Sequence, residues 1–185
     1  PEGAVEQSGG DAAAAFLFGS TGAIAEIEAT YSETLEHQAL WRLPGERFSR
    51  VWEERFALTQ IYGPLLLSGG KGVLKKAGLS GADITKAIID APNARAAAGA
   101  LKPLGLAPEK IVDPLLGSVG HSGTAHAGLL LASALDTAKS GDRILVISCS
   151  DGVDAIILKV TPTIGAYKNS APVAKLLAAK RNDVS

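Results

Sequence analysis

The chain of 185 residues contains a single cysteine, Cys149, and that scarcity removes two classes of protein at once. One thiol builds neither an internal disulfide framework nor a cysteine-based metal site, so a reducing, cytoplasmic setting and no bound metal are expected. Long apolar runs are missing too. Nothing approaches the roughly 20 residues of a bilayer span; "GLLLASALD" and "ILVISC" have the lengths of a core helix and a core strand. No secretory leader is visible. A basic excess is also lacking: 18 Lys and Arg stand among 19 Asp and Glu, for a net charge of −1. Their interspersion argues against nucleic acid as a partner.

What remains is ordinary globular material, 46% hydrophobic and 20% charged. It suffices for one domain with a core, or for half of a larger one. The sequence does not open on methionine. "PEGAVEQSGGDAAAAFLFG" leads almost at once into a strand-like segment, and "AAKRNDVS" stops without a terminating signal. A fragment of a longer protein is the expectation.

"AAAAFLFG" (12–19) reads as a short buried strand, and the alternating "AIAEIEATYSE" (23–33) as a second, antiparallel strand across the turn "GSTG". Residues 35–50, with Trp41, Pro44 and Gly45, form a loop. Helical spacing of Phe56, Leu58, Ile61, Leu65, Leu66, Val73 and Leu74 predicts a long helix over about 51–77, kinked or interrupted at Pro64 and "SGGKG" (68–72). That glycine run lacks Walker spacing, which sets a phosphate loop aside. Ser80 is placed to cap a short turn. "KAIID" reads as a buried strand, "PNARAAAGALKPL" as a helix beginning just after it, and "KIVD" as another short strand. "SGTAHAGLLLASALDTAKSG" is a helix closed by Lys139 and Gly141. "RILVISC" and "AIILKV" are strands joined at Asp151-Gly152, a strong hairpin signal. The tail leaves the core and carries a small helix near 172–180. No internal repeat appears, and strands alternating with helices predict a layered α/β fold.

Taken in order, a strand followed by "DAPN" and a helix, then "GH" before a small-residue helix, then "GDRILVISCSDG" resemble the C-terminal half of a thiolase-superfamily enzyme. The branch is 3-hydroxy-3-methylglutaryl-CoA synthase-like and ketoacyl synthase III-like. "ALDTAKSGDRILVISCSDGVDAIILKV" is similar to its closing helix, strand and hairpin, and "EIEATYSE…WRLPGERFSR" to the segment that opens this half. The resemblance covers nearly the whole chain. It implies a thiolase-like layered fold, a mixed sheet flanked by helices. Residues 1–33 are then the last strands of an N-terminal half, 34–161 the C-terminal domain and 162–185 an extension.

The resemblance also implies site positions, with departures. The slot after "KAII", usually His or Asn, holds Asp90, while Asn93 matches the asparagine of a His-x-x-Asn pattern. The slot after "SVG" holds His121, the thiolase choice, where synthases carry Asn. Cys149 falls where thiolases place their second cysteine. The acyl-carrying cysteine of the N-terminal half has no counterpart here.

His121 is therefore the candidate to accept the thiol proton of that nucleophile or to polarise the substrate carbonyl. The plain alternative is a loop histidine bonded to backbone. Cys149 is either a general acid/base at the α-carbon of an acyl-CoA or a small inert core residue. Backbone amides around Ser150 and Asp151 are candidates to hold the thioester oxyanion. An ionised Asp90 cannot donate the hydrogen bond its slot normally supplies. It is expected to be protonated, to bind a water, or to hand the role to Asn93, whose own structural alternative is a helix cap. His126 reads as packing rather than as a metal partner for His121.

The implied activity is that of a thiolase-type acyltransferase: Claisen carbon–carbon bond cleavage or formation at a CoA thioester, in lipid or aromatic acid metabolism. Coenzyme A would be substrate rather than a tightly bound cofactor. A 3-hydroxy-3-methylglutaryl-CoA synthase-like or ketoacyl synthase III-like condensation stays open, as does a non-catalytic scaffold half supporting a partner. The implied partners are an acyl-CoA, an N-terminal thiolase half, a second copy in a homodimer and a small zinc-ribbon/OB-fold subunit.

Overall fold

Apolar side chains run almost unbroken through "RILVISC", and such a strand is stable only where both of its faces are covered. In the computed structural model, which describes residues 3–38 and 40–179, the segment lies inside a four-stranded sheet between two layers of helix. The elements in chain order are α1 (Ala4–Ser8), β1 (Ala25–Thr34), β2 (Leu40–Trp41), β3 (Arg50–Val51), α2 (Glu54–Phe56), α3 (Gly63–Ala77), β4 (Lys86–Asp90), α4 (Ala94–Leu101), α5 (Ala125–Asp136), β5 (Arg143–Cys149), β6 (Gly152–Val160) and α6 (Val173–Ala178). The sheet order is β1-β6-β5-β4. β4 and β5 are parallel, and the other pairs antiparallel, so the sheet is mixed.

Alternation along the strands sorts their side chains onto two faces. Leu145, Ile147 and Cys149 of β5, with Val153, Ala155 and Ile157 of β6, pack with Leu66 and Val73 of α3 and Ala96 of α4. Ile144, Val146, Ile88 and Val160 pack on the other face with Leu130 of α5 and Val173 of α6. Leu66, Val73, Ile144, Leu145 and Ile147 have no exposed surface; burial of each contributes about 1.5–3 kcal/mol.

Several sequence expectations hold. β4, α4 and the β5–β6 hairpin fall where the pattern placed them, and Ser80 and Asp83 form a reciprocal capping box. Others do not. Residues 12–19 lie outside any strand and are exposed from Ala13 onward, with Leu17 and Phe18 open to solvent. β1 pairs with β6 instead of folding back across "GSTG": its alternation is real, but its partner lies far along the chain. The loop 35–50 contributes β2, and at its end begins β3, which pairs with it; Ala39 lies outside the described residues.

The long helix arrives in three pieces, α2, a π-helical turn Ala57–Tyr62 and α3. Pro64 sits in the first turn of α3, directly after the π-helical turn, and without an N–H it cannot continue that turn's hydrogen bonding. "SGGKG" does not break α3. Those glycines let it lie close on the sheet: a Cβ on Gly69 would stand 2.5 Å from Cγ2 of Val153, and one on Gly70 2.6 Å from Leu104. "KIVD" makes only a single bridge, Ile111 to Ala87. α5 ends at Asp136, before Lys139 and Gly141. The tail returns to the core, since Val173 is buried and its N–H donates to the Asp136 carboxylate at 2.7 Å. α6 ends at Ala178, and Lys180 lies outside the described residues. No described helix is long and apolar enough to cross a membrane.

Candidate active site

Because β4 and β5 are parallel, their carboxyl ends lie side by side, and this is the edge at which α/β sheets hold ligands. The register sets Asp90 opposite Ser148, and alternation turns both toward the α5 face. Asp90 is 8% exposed. A carboxylate so buried needs donors, and it has two. The Ser148 hydroxyl donates to Oδ2 at 3.5 Å, and His121 Nε2 stands 3.0 Å from Oδ1.

His121 reaches that point from a tight turn. Val119 N–H donates to Leu115 O at 2.8 Å and Gly120 N–H to Leu116 O at 3.1 Å. Gly120 has φ +81°, and a Cβ there would meet Gly9 O at 2.6 Å, so only glycine fits. The backbone of His121 is pinned from the start of the chain. Its N–H donates to Ser8 O at 2.8 Å, and Gly10 N–H donates to His121 O at 3.0 Å.

The partners assign the imidazole. An ionised carboxylate only accepts, so Nε2 carries the proton toward Asp90. Gly123 N–H donates to Nδ1 at 3.2 Å, which leaves the lone pair on Nδ1. The side chain is 34% exposed. A carboxylate-bound ring with its lone pair on the opposite edge is a base held in one orientation. Its face is covered by His126, the ring centroids 4.6 Å apart and the planes 29° from parallel. Burial holds the His126 imidazole below its ordinary value, against the opposing pull of the Asp90 charge.

The remaining candidates are placed differently. Asn93 accepts from Arg95 N–H at 2.9 Å and Ala96 N–H at 3.1 Å, capping α4, and its amide donates to Glu54 at 3.4 Å. Its carboxamide is thus spent on the helix cap. Asp90 in turn acts as an acceptor, because the donor it meets is His121. Cys149 follows Ser148 and so points to the opposite, α3 face, where it is 4% exposed. Burial first, then the charges of Asp90 and Asp151, push its thiol up to about 12, so it is protonated at neutral pH. Ser150 N–H donates to Gly152 O at 2.9 Å, and Asp151 O accepts from Leu35 N–H at 3.1 Å; both bonds hold the hairpin turn.

Residues beyond the sequence candidates also belong here. Ser148 faces Asp90 only through the parallel register, which no local pattern reveals. Gly123 and His126 depend on how the turn enters α5; the close spacing of two histidines was the one available hint. Tyr62, buried at the end of the π-helical turn, has its phenol raised by burial and then by the charges of Cys149 and Asp151, and shares the α3-side core with that thiol.

Residues 74–160 match the family described as 3-oxoacyl-[acyl-carrier-protein (ACP)] synthase III C terminal. The hydroxymethylglutaryl-CoA synthase of Methanothermobacter thermautotrophicus is 31% identical over 188 residues, 98% of this chain and 53% of that protein. The one from Archaeoglobus fulgidus is 32% identical over 176 residues, 94% of this chain and 51% of that protein. This is a thiolase-superfamily C-terminal region of the hydroxymethylglutaryl-CoA synthase-like kind. The synthase-like region spans about half the length of those relatives. Its fold is shared with 3-oxoacyl-[acyl-carrier-protein] synthase III from Aquifex aeolicus, at 20% identity and a TM-score of 0.62, over 74% of this chain and 45% of that one. It is shared too with a structure described as HMG-CoA synthase complexed with CoA, at 18% identity and a TM-score of 0.60, over 83% and 44%.

Proposed function

We propose that the protein is part of a thiolase-type acyl-CoA acyltransferase that makes or breaks a carbon–carbon bond by Claisen chemistry at a CoA thioester. The observation that carries this reading is the Asp90–His121 pair, bonded at 3.0 Å at the carboxyl edge of the sheet, in a chain whose relatives are named hydroxymethylglutaryl-CoA synthases. A cysteine of an N-terminal half loses its proton to His121 Nδ1, whose lone pair gives up the Gly123 N–H to take it, and attacks the acyl carbon. The CoA thiolate leaves and takes that proton, and an acyl thioester remains on the enzyme. The α-carbon of a second CoA thioester, once deprotonated, attacks the acyl carbon and expels the cysteine thiolate. Cys149 is proposed for the proton at that α-carbon: as thiolate it takes that proton in condensation, and as the thiol that burial favours it returns the proton in cleavage.

The names of the relatives favour condensation, of the 3-hydroxy-3-methylglutaryl-CoA synthase-like kind, as the working direction. The same reading includes coenzyme A as substrate rather than resident cofactor, a homodimer, a small zinc-ribbon/OB-fold subunit and a cytoplasmic location. It also includes the division at residues 33/34 and 161/162. β1 pairs with β6 across the first of these boundaries, and α6, in the extension, packs through Val173 and Leu177 on the same core as α5.

The test is single-turnover acylation of the full-length protein by an acyl-CoA, followed by the complete reaction. His121→Ala should slow acylation about a hundredfold or more, the scale of a positioned base. Cys149→Ser should spare acylation and impair the carbon–carbon step. Wild-type rates for both variants in both steps would replace this reading with that of a non-catalytic half.

A further inference from the structure

We propose that His126 is a positioning residue for His121, its stacked ring and the Asp90 carboxylate together holding the His121 imidazole in one rotamer and one tautomer. The inference rests on the reading of His121 as the base and adds a residue to that site. His126 is 2% exposed, at the buried end of the range for a histidine. Its own ring is fixed at both edges. Nδ1 accepts from Ser122 N–H at 3.4 Å and lies 3.3 Å from Ser122 Oγ, which leaves the proton on Nε2 for the hydrogen bond to the Pro114 backbone. It projects from the first turn of α5, a rigid element, as a supporting residue should.

His121, by contrast, stands on a turn with a third of its side chain exposed. Asp90 holds Nε2 of that ring and the Gly123 N–H meets Nδ1 at 3.2 Å, two in-plane bonds that leave the ring face without support. The stacked His126 face supplies that support. Neutrality matters as well: when His121 takes a proton it becomes a cation, and an uncharged aromatic face accommodates one where a second imidazolium would repel it. Loss of the stack therefore acts on orientation at the reacting atom, and misplacement by about 1 Å costs on the order of a hundredfold in rate.

The experiment uses the full-length protein and two substitutions that divide the functions of the ring. His126→Asn keeps an acceptor for Ser122 and removes the stack; His126→Phe keeps the stack and removes the hydrogen bonds. Ring ¹⁵N shifts of His121, assigned by subtraction of the His121→Gln spectrum, are read beside kcat and KM for an acyl-CoA. In wild type the two nitrogens should be well separated, one protonated and one bare; averaged shifts would overturn the proposal before any variant is made. In His126→Asn the pair should move toward the average, and kcat should fall about tenfold or more with KM little changed. His126→Phe should restore both. Unchanged His121 shifts in His126→Asn, or losses in both variants that track only their melting temperatures, overturn the positioning role. If the His121 spectrum behaves as expected while no acylation occurs, the positioning stands and the acyltransferase reading falls.

Discussion

The Cys149 thiol and the Asp90–His121 pair sit on opposite faces of the sheet at the same strand ends. Cys149, in the α3-side core, is raised by burial to about 12, whereas an unfolded cysteine titrates near 8.5. A folded value above the unfolded one stabilises fully below the unfolded value, and that stability is lost as pH climbs from about 9 toward 12. Wild-type stability should therefore fall more steeply with pH above about 9 than that of Cys149→Ala, by up to about 1.4 kcal/mol per pH unit. Urea unfolding at pH 8, 9.5 and 10.5 reads the two slopes, and parallel slopes would show that Cys149 does not carry the effect. The pairing of Asp90 with His121 was not legible in the sequence. Each residue stood out singly, but 31 positions separate them, and only the register of β4 against β5 and the turn at Gly120 bring them together. With that geometry in view, an acid in a slot that usually donates is a simple exchange of acceptor for donor.

Elements were legible in proportion to how local their causes are. The β5–β6 hairpin follows from Asp151-Gly152 and the flanking apolar runs, and the α4 cap from Asn93 beside its own helix. α3 was misread because the glycines of "SGGKG" look like a break until the sheet beneath them is known. Their role gives a paired test. Gly69→Ala should destabilise by about 1–3 kcal/mol, the usual range for overpacking, since its Cβ would stand 2.5 Å from Val153. Gly99→Ala, on α4 with nothing within 4 Å, should stabilise by about 0.4–1 kcal/mol. Denaturant midpoints of the full-length protein measure both, and shifts of the same sign would contradict the packing account of α3.

At the scale of the whole molecule, the exposed run Phe16, Leu17 and Phe18 stands beside a chain that spans about half its relatives. The apolar pattern of 12–19 was visible in the sequence, but not its partner: Ala14 and Phe16 lie against Gly128 of α5, and among the described residues nothing covers Leu17. Expressed alone, the 185-residue chain should self-associate, and co-expression with the proposed N-terminal half should yield a single monodisperse species by size exclusion with light scattering. A monodisperse, cooperatively folded 185-residue monomer would show that the run needs no cover. The sheet order carries one more consequence, for synthesis on the ribosome. β1 emerges roughly 120 residues before β6, its hydrogen-bonding partner, and at 5–20 residues per second that is a wait of about ten seconds. A waiting strand is an open template for neighbouring nascent chains. Glu26, Glu28 and Glu33, all exposed along β1, give that strand the repulsive charge a gatekeeper needs until Arg143 pairs with Glu28 and the Ser68 hydroxyl with Glu33 in the finished protein.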